Sequence, residues 1–272
     1  MFAGRQPNIE LQLPHLRRIL ERNPDVECHI WDLARDPKDS AYLRTIEGDR
    51  ITVRADFYDA SGKASRGQVK VWKHYANKGD RNTLYVKLDD DVVFLESNRF
   101  DTFIDAIDTH PDHVISALTI NNGASTPHIP DIWDAYQQLD IPLLDVHLSA
   151  EYAELSHRWF FANWQAITNR PALLIPTEDW VSINCIGMTH QMLHRIAEWI
   201  GRPSPRLLAG RAFHPVRNRL GDEGATNVMP RLIHEGFVAA HLNFGPQVEG
   251  LKAVSDELRK MYADVDKQYL TQ

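Results

Sequence analysis

The chain has 272 residues, 43% of them hydrophobic and 25% charged, with a formal net charge of −7 when histidine is neutral. That composition is globular, with length for one large α/β domain or two small ones, and a core of this size needs no disulfide staples. The negative balance argues against broad binding to nucleic acid, which runs on cations that displace counterions, and leaves nucleic acid an unfavoured partner.

Cys28 and Cys185 are the only cysteines. They are far apart and have apolar neighbours, so they read as buried thiols of a reducing compartment. No Cys/His cluster has zinc spacing. Residues 1–5 hold no signal-peptide core, and no run approaches the roughly 18 apolar residues of a membrane span. The expectation is a soluble, cytoplasmic protein.

In chain order, residues 8–23 carry Ile9, Leu11, Leu13, Leu16, Ile19 and Leu20 at helical spacing, with Asn8 as cap and Pro14 near the true first turn. Residues 25–34 and 50–58 read as strands, and 68–75 as a helix. Residues 84–95 (LYVKLDDDVVFL) read as one apolar strand interrupted by three carboxylates. A helix over 98–109 and a strand over 113–120 follow, broken at Asn121, Asn122 and Gly123. Residues 124–178 are irregular, rich in proline and aromatics. A strand over 180–188, a helix over 191–200, a strand over 235–244 and a helix over 250–263 complete the chain. Alternation of strand and helix predicts an α/β fold with a mixed, mostly parallel sheet flanked by helices.

Asp89, Asp90 and Asp91 are the sharpest feature. Their flanks, Val86, Leu88, Val92, Val93, Phe94 and Leu95, are all apolar, and burying carboxylates without partners is costly. A charge cluster set in core strand points to a hard divalent cation with oxygen ligands, at a switch-point crevice beyond the strand ends. An acidic bulge or structural calcium loop is the plainer alternative. A phosphatase-type Asp-x-Asp fits less well, because Val92 and Val93 follow where Thr or Ser is wanted.

The segment from Tyr85 to Phe94 resembles the K-x-D-D-D segment of GT-A-fold glycosyltransferases, and it arrives after about three strands, as in that family. The resemblance implies a single Rossmann-like GT-A domain over residues 1–272, with a nucleotide-sugar half at 1–125 and an acceptor half at 126–272. It implies Mn²⁺ or Mg²⁺ as cofactor. Asp91 would be the direct metal ligand, with Asp89 or Asp90 binding the ribose and helping to orient the metal, and Asp89 counted among the metal's candidate ligands. Arg5 would sit near the nucleotide or its phosphates, and Asp32 near the base. His241 occupies the place of the family's late metal-binding histidine; a core histidine bonded to a carbonyl would explain it equally well. Asp222 and Glu223 stand where inverting members keep a general base. Capping of a helix by Asp222, with Glu223 in its first turn, is compatible with that role, and sequence does not separate the two. One departure is that only Met1-Phe2-Ala3 stands where the family has a complete first strand.

Three further groups stay open. Trp133, Trp159, Phe160, Phe161, Trp164 and Trp180 offer stacking faces for an acceptor sugar, or pack the core. Asn121, Asn122 and Asn184 line the donor sugar, or end turns and strands. Arg202, Arg206, Arg211, Arg217 and Arg219 form a solvated loop, or a surface for an anionic substrate or the donor diphosphate. The expected activity is metal-assisted transfer of a sugar from a nucleoside-diphosphate sugar to a hydroxyl on a glycan, a protein or another acceptor. The rivals are a metal-dependent nucleotidyltransferase, for which Gly4-Arg5-Gln6-Pro7 is a poor phosphate loop, and a non-catalytic metal- or carbohydrate-binding protein on the same fold.

Overall fold

A computed structural model describes residues 1–59 and 64–272. Strand β1 (Phe2–Ala3) leads into helix α1 (Gln6–Arg22), β2 (Cys28–Asp32), α2 (Pro37–Thr45), β3 (Ile51–Arg54) and α3 (Ala64–Lys78). Next come β4 (Leu84–Leu88), β5 (Val92–Leu95), α4 (Phe100–Thr109) and β6 (Val114–Ile120). The second half holds α5 (Pro130–Tyr136), α6 (Ala150–Ile167), β7 (Leu174–Pro176), β8 (Cys185–Thr189) and α7 (His190–Trp199). It closes with β9 (Leu207–Leu208), β10 (Arg211–Ala212), α8 (Asp222–Asn227), β11 (Arg231–His241), α9 (Val248–Leu251) and α10 (Ser255–Tyr269).

The fold is mixed α/β. β1, β2 and β3 form one sheet in that order, all parallel. A six-stranded sheet runs β4-β8-β6-β11-β5, with β7 also on β11. In it β6 and β11 are parallel, while β8 is antiparallel to β4 and β6, and β5 and β7 are antiparallel to β11. The mostly parallel sheet expected from the sequence therefore describes the smaller sheet and not the larger. An apolar run reads the same in either direction, so residues 180–188 gave no sign that β8 turns back.

β5, β6 and β11 are buried along their whole length, which is why β5 and most of β6 read as apolar runs, while β11 buries Arg231, His234, Glu235 and His241 as well. β11 serves two partners along one edge. Leu232 to His234 pair with β7, and Ala239 to His241 with β5. Gly236 lies between these stretches, where a Cβ would meet the Ala172 backbone at 2.7 Å; only glycine admits that approach.

The irregular stretch at 124–178 contains an 18-residue helix, α6. Ser149 caps it, accepting from the Tyr152 N–H at 3.1 Å. Its inward face is Tyr152, Ser156, Phe160 and Trp164, all buried. Helix α1 starts earlier than expected, with Arg5 at the cap position and Pro14 inside the helix; Asn8 is buried in it rather than capping it. Among the described residues no helix is long and apolar enough to cross a membrane.

β4 pairs with β8 on one edge, and β2 with β1 only at Trp31 and Asp32. Between the open edges lies a cavity of about 860 Å³ lined by Cys28, His29, Leu84, Val86, Leu88 and Leu16 among others. The Met1 ammonium donates to the His29 carbonyl at 2.7 Å, and burial holds it below its ordinary pKa. Strand edges that are unpaired among the described residues and border apolar space are a template for one more strand. A five-residue alternating apolar segment fused ahead of Met1 is therefore expected to raise Tm by about 2–6 °C, from two or three newly buried side chains offset by backbone ordering. A Gly/Ser extension of equal length is the control. Equal melting temperatures for the two would show that the cavity takes no strand.

Candidate functional site

Asp89, Asp90 and Asp91 form the turn between β4 and β5, closed by the Val92 N–H on the Asp89 carbonyl at 3.3 Å. The turn arises because the strands on either side leave for different neighbours, β4 to β8 and β5 to β11. Its backbone is pinned from three directions. The Asp89 N–H donates to the Asn184 carbonyl at 2.9 Å, and the Leu242 N–H donates to the Asp91 carbonyl at 2.7 Å. From α1, the buried Gln12 amide donates to the carbonyls of Asp89 and Val92, each at 2.8 Å. A fixed backbone of this kind preorganises the carboxylates.

The three side chains take different partners. Asp90 receives a two-pronged contact from Arg5, Nε to Oδ2 at 3.1 Å and Nη2 to Oδ1 at 2.7 Å. Arg5 Nη2 also reaches Asp91 Oδ2 at 2.6 Å. Asp89 accepts from Lys87 Nζ at 2.5 Å. Asp91 Oδ2 lies 3.1 Å from His241 Nε2, so the structure brings together the last aspartate and the histidine that ends β11. Asp91 Oδ1 and His241 Nδ1 are both buried without a hydrogen-bond partner among the described residues. The Phe244 ring packs 4.3 Å from the His241 ring.

Electrostatics divide the carboxylates further. Burial opposes ionisation of Asp91, but His241 and Arg5 outweigh it and hold its carboxyl below the usual range. Burial, aided by the charge on Asp91, pushes Asp89 up to about 6 against Lys87. Asp90 is also raised, by burial against Arg5. The strongly held negative charge therefore sits on Asp91, beside the histidine.

Does this place fit a divalent cation? Among the described residues no group of three or more His, Cys, Asp or Glu is arranged to hold one. Asp91 and His241 would offer two protein ligands, with Oδ2 and Nε2 3.1 Å apart. A two-ligand site suits a metal that keeps water and substrate phosphate in its other positions. Asp89, held by Lys87, does not meet the other two. Asp32 lies apart as well: it is buried, its Oδ1 accepts from the Ala34 N–H at 3.1 Å, and its Oδ2 accepts from the Ser40 hydroxyl.

The acidic pair opens α8 behind Gly221. Asp222 has both oxygens engaged, Oδ1 with the Glu223 N–H at 3.0 Å and Oδ2 with the Trp72 indole N–H at 3.1 Å. Glu223 accepts from the Trp180 indole at 2.6 Å through Oε1. Its Oε2 accepts no hydrogen bond among the described residues, so of the two Glu223 is the one with an oxygen not already engaged. Trp180 and Asn184 tie the two acidic groups together, since Asn184 receives the Asp89 N–H. Four residue steps separate them, at most about 14 Å of chain.

The remaining candidates divide clearly. Phe160 and Trp164 are core, and Trp133, Trp159 and Phe161 pack against it. Trp180 lines a pocket of about 110 Å³ with Gly123, His147, Asp179, Ser182 and Arg211 among its other walls. Asn121 and Asn122 wire the site from behind. Asn121, at φ +61°, donates to Gln247 Oε1 at 2.9 Å and to the His241 carbonyl at 3.2 Å. Asn122 donates to Asn184 Oδ1 at 3.3 Å. Sequence reasoning missed Gln12, although an amide on the apolar stripe Ile9, Leu13, Leu16 was a visible signal. It also missed Trp72 as the partner of Asp222, which no local pattern announces. The chain matches no family model, no curated protein and no solved structure.

Proposed function

We propose that this protein is a metal-dependent glycosyltransferase on a GT-A-like scaffold, moving a sugar from a nucleoside-diphosphate donor to an acceptor hydroxyl with inversion. The observation that carries the reading is the buried Asp91–His241 pair, Oδ2 to Nε2 at 3.1 Å, in which Asp91 Oδ1 and His241 Nδ1 are left without hydrogen-bond partners among the described residues. The aspartate turn following three parallel strands and β4, with an acidic helix start late in the chain, supports the scaffold assignment.

In this reading Arg5 and Lys87 border the site as cations for the donor diphosphate, and Asp90 holds Arg5 in place. Bound at Asp91 and His241, Mn²⁺ or Mg²⁺ supplies charge neutralisation for the leaving diphosphate. Glu223 Oε2 takes the proton of the acceptor hydroxyl as that oxygen bonds to the anomeric carbon. The bond from that carbon to the diphosphate breaks on the opposite face, and its electron pair leaves with the nucleotide. The Trp180 indole N–H fixes the Glu223 carboxyl so that Oε2 is the one presented.

The test is thermal stability with UDP-, GDP-, ADP- and dTDP-sugars, each with and without Mn²⁺, on the wild type, Asp91→Asn and His241→Ala. A bound nucleotide-sugar at about 100 times its Kd adds about 2.7 kcal/mol. Stabilisation by one donor only with Mn²⁺, and lost in both variants, is expected. If no nucleotide-sugar stabilises the wild type with any metal, the reading is wrong.

A further inference from the structure

We propose that the pocket beside Glu223 selects an acceptor carrying an anionic group, a carboxylate or a phosphate, and that Arg211 is the residue that binds it. This rests on the glycosyl-transfer reading, because Glu223 identifies the pocket as the acceptor side. Trp180 is shared by both: it lines the pocket and donates its indole N–H to Glu223.

The Arg211 guanidinium lies over the Trp180 ring, 4.3 Å from its centre. Its Nη2 makes two long contacts, to the Leu144 carbonyl at 3.3 Å and to His147 Nδ1 at 3.4 Å. Among the described residues its Nε is buried without a hydrogen-bond partner, and no carboxylate forms an ion pair with it. A half-buried guanidinium with an idle N–H and no ion-paired carboxylate among the described residues is an incomplete anion site. A carboxylate or phosphate completes it with charge-assisted bonds to the planar fork. A neutral sugar leaves the charge uncompensated. Asp179 lines the same pocket, so the seat for the anion is the end formed by Arg211 and His147.

The backbone holds Arg211 there at some cost. β9 and β10 are joined by Ala209 and Gly210, both in the left-handed region at φ +47° and +79°, as in a two-residue type I′ hairpin turn. Alanine is strained in that conformation. A Cβ at Gly210 would lie 3.1 Å from Leu144, so the hairpin tip packs on the pocket wall. Arg202, Arg206, Arg217 and Arg219 are exposed in the same segment and add a field that draws anions toward it.

The experiment is ligand-observed NMR titration with glucuronate, glucose 6-phosphate and glucose, on the wild type, Arg211→Gln and Arg211→Lys, without nucleotide. At least one anionic sugar is expected to bind the wild type 10-fold or more tightly than glucose. Arg211→Gln, which keeps the stem that packs on Trp180, should bring the two within about twofold, and Arg211→Lys should retain part of the preference. Which anion binds more tightly decides between carboxylate and phosphate. Equal binding of glucose and both anions by the wild type, or a preference that survives Arg211→Gln, overturns the proposal. Nucleotide binding with Mn²⁺, measured on the wild type and Asp91→Asn, is read separately. Its failure beside an intact Arg211-dependent preference would sink the transferase reading and leave an anion site. Its success beside no preference would sink only the proposal.

Discussion

Glu223→Gln is expected to lower the rate of sugar transfer by about 10²–10⁴-fold, the usual contribution of a positioned general base, while metal-dependent donor binding stays within a few-fold of the wild type. Glutamine keeps the shape and can still accept the Trp180 N–H through its carbonyl, but it cannot take a proton. Asp222→Asn should cost far less, because both Asp222 oxygens already accept hydrogen bonds, from Glu223 and from Trp72. The measurement is nucleotide release from the donor, with and without acceptor, in the wild type and both variants. Equal losses in the two variants would mean that the helix start matters as a structure and not as a base. A loss confined to Asp222→Asn would reverse the assignment. An unchanged rate in Glu223→Gln would put the proton elsewhere and remove the case for inversion.

The sequence showed the punctuation of this fold more readily than its pairings. Three aspartates between apolar runs mark an interruption in the strand, because carboxylates in a core need partners; a turn with Arg5 and Lys87 supplies them here. The same residues did not reveal that the strand divides there, with β4 going to β8 and β5 to β11. That choice is made by contacts far away in the chain, Ala239 to Leu95 among them. Helix α6 was hidden for a local reason. Ser156 and His157 sit on its buried face, which breaks the apolar stripe, although Tyr152, Ser156, Phe160 and Trp164 keep a spacing of four. The pairing of Asp91 with His241 was an analogy at the sequence level; β11 running beside β5 supplies the geometry. Asp222 and Glu223 were inseparable in sequence because what distinguishes them lies 150 residues away at Trp72 and 43 away at Trp180.

Glu96→Gln is expected to stabilise the protein above pH 8 and to flatten its loss of stability across the neutral range. Glu96 follows β5 and is buried, 1% exposed. Its Oε2 accepts from the Val238 N–H at 2.8 Å, while Oε1 has no partner among the described residues. Burial raises its pKa from 4.5 to about 8, against the Val238 N–H and the charge on Arg99, which both favour the ionised form. A carboxyl whose folded pKa is raised binds its proton more tightly in the folded state. Its contribution to stability is complete below the unfolded value of 4.5 and is lost as pH rises through the folded value of about 8. The gap amounts to a few kcal/mol at most, on the order of 1.4 per pH unit. Tyr269, close enough for Glu96 to add to the rise in its own pKa, stays protonated through this window. The measurement is urea unfolding of the wild type and Glu96→Gln at intervals from pH 4.5 to 9. The difference in unfolding free energy should be small and flat at the acid end and grow in favour of the variant toward pH 9. Asp89 and Asp91 titrate alike in both proteins and cancel in that difference. Parallel curves would show that Glu96 is ionised throughout, with a counter-charge or water serving Oε1.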